Sequence, residues 1–200
     1  MKKSNTIVTM VLSLGIVTIV AAAILGGVYE MTKEPIAKAE AQAKTDAIAN
    51  VAPEFNNVPG EEAFAVLLEG DTDSIMVYPA KKDGQLVGAA VESFDDKGFS
   101  GMIELMYGFD AEGNVTGFSV LKHAETPGLG AKMGEWFKDP AGNRSVLGKN
   151  PAKNNLTVSK DGGEVDAITA ATITSRAFLR ALDRANKAFI QYRDSQNTNN

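Results

Sequence analysis

A hydroxyl-rich segment near the C-terminus has the residue types needed to hold an anionic ligand. It reads D-A-I-T-A-A-T-I-T-S over residues 166–175 and directly precedes a stretch with helical periodicity. The first N–H groups of a helix have no partner within the helix, and the helix dipole favours an anion such as phosphate there. An ordinary helix cap would account for Thr174 or Ser175, but it leaves Thr169 and Thr172 without a role.

A second candidate segment, H-A-E-T-P-G-L-G, occupies residues 123–130 and follows a predicted strand over 115–121. Glycine has no Cβ and tolerates positive φ, so backbone N–H groups in such a segment can approach a ligand closely. The simpler interpretation is a plain turn with one exposed histidine. The binding candidates in this segment are His123, Glu125, Thr126, Gly128, Leu129 and Gly130.

The cysteine and histidine counts restrict the chemistry available to these segments. The 200 residues contain no cysteine and one histidine. These counts exclude disulfides, thiolate-ligated iron–sulfur clusters, Cys/His zinc sites and H-E-x-x-H zinc sites. Redox or hydrolytic chemistry must therefore come from hydroxyls, carboxylates, backbone groups or an organic cofactor. We predict no metal site and assign no catalytic side chain.

The elements that position these segments begin with an uncharged apolar stretch, Thr6–Val28, which predicts a membrane-spanning helix. Its 23 residues span about 34 Å at a helical rise of ~1.5 Å per residue, which is enough to cross a bilayer. Lys2 and Lys3 precede it and favour a cytoplasmic N-terminus with the remainder exported. A cleaved signal peptide is the alternative, because small residues occur at 21–23, but the apolar run continues past them.

The charge distribution restricts the partners of the exported part. All 25 acidic residues follow Val28, and the whole chain has 20 basic residues and a net charge of -5. An acidic surface argues against nucleic-acid binding and against adhesion to anionic lipid. We therefore predict no nucleic-acid partner.

Periodicity after the apolar stretch predicts an α+β domain with an antiparallel sheet. A helix is predicted over Glu30–Asn50, with Thr32 as its cap and Pro35 in its first turn. Two hairpins are predicted around the turns at 82–84 and 110–114, and Leu156–Val158 is predicted as a short strand. The last predicted helix runs over 175–192 and places on one face Phe178, Leu182, Ala185 and Phe189.

These elements predict five divisions of the chain. They are a cytoplasmic stub at 1–5, a transmembrane helix at 6–28, a stalk helix and loop at 29–59, the sheet domain at 60–192 and a disordered tail at 193–200.

Together, the anchor and three short motifs resemble the FMN-binding domain family. The motifs are G-F-S-G at 98–101, H-x-E-T-P-G-L-G at 123–130 and T-A-A-T-I-T-S at 169–175. Within this family, the chain looks most like the G subunits of Rnf electron-transport complexes. The alternatives are the C subunits of Na⁺-pumping NADH:quinone oxidoreductases, which share the domain, and a membrane-tethered binding module without redox chemistry.

The resemblance implies a covalently bound FMN. In the family, the signature [ST]-G-A-T-x-[ST] carries FMN through a phosphoester on a threonine that corresponds to Thr172, and Ala170 stands where the family usually has glycine. Asp166 matches an acidic position read by the flavin transferase, which implies Mg²⁺ and FAD, the FMN donor, during maturation. The segment at 123–130 is implied to lie against the flavin. The other implied cofactor-binding residues are Thr169, Ala170, Ala171, Thr174 and Ser175.

The implied function is that of an electron carrier rather than a complete enzyme. The chain would relay electrons in a membrane complex that couples transfer between ferredoxin and NAD to Na⁺ or H⁺ translocation. Its implied partners are the other subunits of that complex, the flavin transferase and membrane lipid. The implied location is the bacterial inner membrane, with a single pass and a periplasmic C-terminal domain.

Overall fold

The computed structural model describes residues 3–198, with side chains for residues 6–196. Residues 1–2 of the predicted stub and residues 199–200 of the predicted tail lie outside the described residues. The first element, helix α1, covers Lys3–Val51 without interruption and contains Pro35. The predicted helix start at Thr32 is therefore wrong, because the Thr32 hydroxyl donates to the Val28 carbonyl at 2.9 Å inside the helix.

Helix α1 carries the apolar stretch that the sequence predicted to span a membrane. Within the described part of the chain, it is the one helix long and apolar enough to do so. All residues of Thr6–Val28 are exposed, and an apolar face of this length needs a nonaqueous surrounding. The chain divides into two compact units, one ending at Ala43 and the other beginning at Lys44.

The unit that begins at Lys44 contains a five-stranded antiparallel sheet with the strand order β1-β2-β3-β4-β5. Each strand pairs with the next along the chain. With helix α3 (Thr172–Thr198) this sheet confirms the predicted α+β class. The strands are β1 (Phe64–Val66), β2 (Ile75–Lys82), β3 (Gln85–Gly98), β4 (Gly101–Asp110) and β5 (Val115–Lys122). A short helix α2 (Met133–Trp136) lies between β5 and α3.

The hairpin turns follow from local residue chemistry. Asp83 and Gly84 both have positive φ, 52° and 81°, the conformation that two-residue hairpin turns require. Strand β1 escaped the sequence analysis because it has only three residues. The predicted strand over Leu156–Val158 is wrong, since only an isolated bridge joins Val158 to Val165.

Helix α3 covers one face of the sheet and forms the main core with it. The predicted face of this helix is fully buried, including Phe178 and Phe189. Phe189 stacks on Phe109 of β4 with ring centroids 5.4 Å apart. The Tyr107 hydroxyl donates to the Phe178 carbonyl at 2.8 Å. The helix is thus fixed to β4 by aromatic packing and by a buried hydrogen bond.

The last turn of α1 packs on the opposite face of the sheet. Ala47, Ile48 and Val51 form a second buried cluster there with Ala90 and Met106. A Cβ added at Gly108 would lie 1.9 Å from the Val51 carbonyl oxygen, which also accepts a hydrogen bond from Thr116 at 2.5 Å. The absence of a side chain at Gly108 therefore lets the helix backbone lie directly against β4.

Helix α3 extends beyond Tyr192, where the sequence predicted a disordered tail. It continues to Thr198. Tyr192 is buried, and its carbonyl accepts a hydrogen bond from the Ser195 hydroxyl at 2.6 Å. The Arg193 guanidinium donates to the Ala111 carbonyl at 3.3 Å. The predicted disordered tail is therefore wrong for the described residues, because the contact with Ala111 gives the polar end of the helix a partner that its own sequence does not indicate.

Candidate functional site

A cleft of about 300 Å³ lies where three segments meet: the β3–β4 turn, the loop after β5 and the start of α3. Its volume lies at the small end of the range for ligand sites, about 300–1,000 Å³. Eight of the predicted binding residues line it, together with two that were not predicted. The lining residues are Phe99, Glu125, Thr126, Leu129, Gly130, Ala170, Ala171, Thr172, Ile173 and Thr174.

Thr172 is the first residue of α3 and lies half-buried in this cleft. No hydrogen bond of its hydroxyl is present among the described residues. The first hydrogen bond of the helix backbone runs from the Ser175 N–H to the Ala171 carbonyl at 3.0 Å. The N–H groups of 172–174 are consequently unpaired by the helix and can bind an anion.

Ser175 organises the chain that leads into α3. Its hydroxyl oxygen accepts a hydrogen bond from the Ile168 N–H at 2.9 Å and donates to the Ala171 carbonyl at 3.0 Å. Ser175 is fully buried and does not line the cleft. Its two hydrogen bonds therefore hold the turn before Thr172 without placing the Ser175 side chain in the cleft.

Ala170 adopts a left-handed backbone conformation with φ of 61°. This conformation costs a residue with a Cβ about 1–2 kcal/mol, whereas glycine adopts it readily. The turn at 168–171 is closed by a hydrogen bond from the Ala171 N–H to the Ile168 carbonyl at 2.9 Å. The position at which the sequence departs from the family signature is thus a strained one.

Glu125 connects all three segments of the cleft. Its side chain is buried, with 4% exposure. One carboxylate oxygen, Oε1, accepts from the Ser100 N–H at 3.1 Å, and Oε2 accepts from the Thr174 hydroxyl at 2.7 Å. A Cβ at Gly130 would lie 2.5 Å from Oε2. Glycine is required at 130 because a larger residue would displace this carboxylate.

Four predicted residues lie outside the cleft lining. His123 is exposed, and its Nδ1 accepts a hydrogen bond from the Glu125 N–H at 3.1 Å. Gly128, with φ of 77°, and Thr169 are exposed. The Asp166 carboxylate accepts from the Asn143 N–H at 3.2 Å and from the Ser159 hydroxyl at 3.3 Å. With Ser175, the structure therefore separates five of the predicted residues from the cleft.

Phe99 and Ile173 line the cleft, although the sequence analysis did not assign them to a site. Phe99 lies in the G-F-S-G motif, which indicated the family but did not indicate that Phe99 lines a binding site. Ile173 does not belong to the buried face of α3. An apolar residue outside that face could have indicated a binding role from the sequence. Together with Leu129, these side chains give the cleft apolar walls beside an anion-binding helix end.

Comparisons with known proteins match both parts of the chain. The family model described as FMN-binding domain matches residues 98–187, which include every residue that lines the cleft. A second family model, described as RnfG N-terminal region, matches residues 1–51.

Relatives that match most of the chain are named as the G subunit of an ion-translocating oxidoreductase complex. The relative from Aliivibrio fischeri strain ES114 is 34% identical, covering 92% of this chain and 88% of its own length. The relative from Escherichia coli K12 is 36% identical over 79% of both chains. The relative from Methanosarcina acetivorans is 33% identical, covering 92% of this chain and 95% of its own.

Proposed function

The chain belongs to the family of G subunits of ion-translocating oxidoreductase complexes, and from this membership we propose that Thr172 carries a covalent FMN. The chain is an FMN-binding subunit that carries electrons in such a complex, and its N-terminal helix anchors it to the membrane. Membership of this family favours an Rnf-type G subunit over the C subunit of a Na⁺-pumping NADH:quinone oxidoreductase. The FMN-binding domain likewise disfavours a binding module without redox chemistry.

The single observation that carries the proposal is the position of the Thr172 hydroxyl. It lacks a hydrogen-bond partner among the described residues, and its residue lines the cleft at the first turn of α3. The other hydroxyls of the segment are less suitable. Thr174 donates to Glu125, Ser175 bonds the backbone behind the cleft, and Thr169 does not line the cleft.

The residues present fit an FMN group. The unpaired N–H groups at 172–174 suit a phosphate, since a helix N-terminus favours negative charge. The apolar side chains of Phe99, Leu129 and Ile173 suit a ring system. When bound, FMN supplies the one- and two-electron transfer chemistry that the side chains of this chain lack.

The proposed attachment forms a bond from Thr172 Oγ1 to phosphorus. With FAD as donor, the phosphoanhydride bond breaks, AMP leaves and the hydroxyl proton is released. A flavin transferase with Mg²⁺ would perform this step during maturation. We propose that the transferase recognises Asp166. The half-buried Asp166 carboxylate accepts two hydrogen bonds within the chain. The Asp166 carbonyl accepts a third, from Trp136 Nε1 at 2.8 Å, which fixes the backbone at this position.

The remaining proposals concern the complex. We propose that the N-terminus is cytoplasmic and that the domain lies outside the bacterial inner membrane, in contact with lipid through α1 and with the other subunits. The complex would couple electron transfer between ferredoxin and NAD to Na⁺ or H⁺ translocation. A covalent tether suits this location, because a dissociated FMN would be lost by dilution.

Fluorescence of the denatured chain tests the attachment. We expect the full chain, co-expressed with a flavin transferase, to fluoresce under ultraviolet light after denaturing electrophoresis, and Thr172→Ala to be dark. Thr72→Ala is the matched control, because it removes an exposed hydroxyl outside the signature and outside the cleft and should leave the band unchanged. A dark wild-type band contradicts covalent attachment, and a fluorescent Thr172→Ala band moves the attachment to another hydroxyl.

A further inference from the structure

Exposed apolar side chains are concentrated around the cleft. In the described residues from Lys44 onward, seven large hydrophobic side chains are exposed. Three of the seven line this one cleft, and each belongs to a different segment: Phe99 at 66% exposure, Leu129 at 40% and Ile173 at 48%. An exposed apolar surface built from separate segments indicates a ligand or partner.

Phe99 has an unusual position among these three. It lies in the tight turn between β3 and β4, where Gly98 pairs with Gly101 and leaves a two-residue loop. Turns of this kind normally carry small or polar residues at their tips. A phenylalanine that is two-thirds exposed at a turn and also lines a cleft has a ring face available for a planar ligand.

The Glu125 carboxylate fixes this turn in place. The Ser100 N–H, next to Phe99 in the chain, donates to Oε1 of Glu125 at 3.1 Å. A Cβ at Gly98 would lie 2.7 Å from the same oxygen, so the turn approaches the carboxylate as closely as glycine allows. Oε2 is held by Thr174 in the first turn of α3. Glu125 therefore sets the distance between Phe99 and the helix start that contains Thr172.

We propose that Phe99 stacks on the isoalloxazine ring of FMN and that Glu125 is the positioning residue that holds the Phe99 turn over the cleft. This inference rests on the proposed attachment at Thr172. A planar aromatic ligand gains from an offset-stacked or edge-to-face phenyl ring beyond the area that it buries. The tether at Thr172 confines the ring to the neighbourhood of the cleft, and Phe99 selects its orientation there.

Flavin fluorescence per attached flavin tests the stacking, because a tryptophan in contact with an excited flavin quenches it by electron transfer, whereas phenylalanine and leucine are too difficult to oxidise to do so. A stacking free energy of ~1 kcal/mol makes the stacked form about fivefold more populated than the unstacked form. In the flavinylated full chain, Phe99→Trp should therefore lower the flavin fluorescence by about that factor, and Phe99→Leu should leave it near the wild-type value. Phe64→Trp is the matched control and should leave the fluorescence unchanged, since Phe64 is an exposed phenylalanine that contacts Tyr192 with ring centroids 5.6 Å apart, away from the cleft.

The positioning role of Glu125 is tested with two variants. Each is combined with Phe99→Trp, so that a displaced turn is read as a loss of quenching. Adding Glu125→Ala should restore the fluorescence, whereas Glu125→Gln keeps an oxygen that can accept from the Ser100 N–H and should leave the flavin quenched. If the Ala variant does not fold, Thr174→Val takes its place, because it removes the donor to Oε2 of Glu125. Fluorescence that stays quenched in the Ala or the Thr174→Val variant would overturn the positioning role.

The denaturing gel separates failure of this inference from failure of the proposed function. A fluorescent covalent band in wild type and in Phe99→Trp, with equal flavin fluorescence of the two folded proteins, would overturn the stacking and leave the attachment intact. Loss of the wild-type band would instead contradict the attachment itself.

Discussion

At the scale of single residues, hydrogen bonds decide which hydroxyl of the segment at 169–175 is available in the cleft. Ser175 and Thr174 turn their hydroxyls to Ala171 and Glu125. Of the hydroxyls in this segment that line the cleft, Thr172 is the one without a partner among the described residues. Ala170, the residue that departs from the family signature, has a strained left-handed backbone.

The strain at Ala170 predicts that Ala170→Gly stabilises the protein. Glycine adopts φ of 61° without the Cβ penalty, and after subtracting its larger unfolded-state entropy we expect a gain of ~1 kcal/mol. The fluorescence of the single tryptophan, Trp136, during urea unfolding of the unflavinylated full chain measures the change.

The same substitution inside α3 provides the control for Ala170. Ala177 is buried in the helix interior, so Ala177→Gly should cost at least ~1 kcal/mol. Equal losses at both positions would show that Ala170 is not strained.

The sequence predicted site residues that belong to recognisable motifs, but it did not predict residues that reach the site only through the folding of distant segments. Thr172 and Leu129 were assigned because hydroxyls before a helix and glycine-flanked turns have recognisable chemistry. Phe99 was not assigned, because exposure at the tip of a turn depends on how two strands and a distant loop meet. Thr169 is the first residue of the motif, yet it is exposed and does not line the cleft.

At the scale of elements, the sequence predicted those with a strong period and missed those that depend on tertiary contacts. The face of α3 with Phe178 and Phe189 follows from helical spacing and is buried as predicted. Helix α1 passes through Pro35, although a proline in the first turn of a separate helix was the local expectation. The end of α3 is supported by the hydrogen bond from Arg193 to the Ala111 carbonyl, a partner 82 residues earlier in the chain that no local pattern indicates.

A bidentate ion pair links β3 to α3. The Arg180 guanidinium donates to both oxygens of Asp95, each at 2.7 Å, and this hydrogen bonding raises the pKa of Arg180 above its ordinary value. Asp95 is buried, whereas Arg180 is partly exposed. Removing the arginine would leave a buried carboxylate without its charged partner, with a hydrogen bond from the Lys97 N–H at 2.9 Å remaining.

Arg180→Ala is therefore predicted to destabilise the protein by about 2 kcal/mol, below the range for fully buried pairs because Arg180 is partly hydrated. The control is Arg176→Ala, one turn earlier on the same helix, whose partner Asp161 is exposed. Exposed pairs contribute little, so this variant should unfold close to wild type in urea. Equal effects of the two variants would contradict a structural role for burial of Asp95.

At the scale of the whole molecule, the boundary between the two units lies inside α1 and not at its end. The unit that begins at Lys44 includes the last turn of the helix, with Ala47, Ile48 and Val51 buried in it. A domain boundary placed at the end of the helix would remove these residues from the sheet that they cover.

We accordingly predict that a chain beginning at Lys44 folds and is released from the membrane fraction, whereas the full chain remains there after alkaline extraction. A chain beginning at Ala52 is the matched comparison. It loses the apolar cover of Ala90 and Met106 and should be less stable by at least ~3 kcal/mol, given the burial of one isoleucine and one valine. Equal urea midpoints for the two shortened chains would contradict this boundary.

The contact between Val51 and the sheet also orders the events of biosynthesis. The Val51 carbonyl bonds Thr116, which is 65 residues later in the chain. The apolar turn at 47–51 emerges first and stays uncovered until β4 and β5 have been synthesised and paired. Closing so long a loop carries an entropic cost that only the completed hairpin offsets. We therefore expect this face to fold late, and a chain that ends before Thr116 to leave the apolar turn at 47–51 without its hydrogen bond to β5.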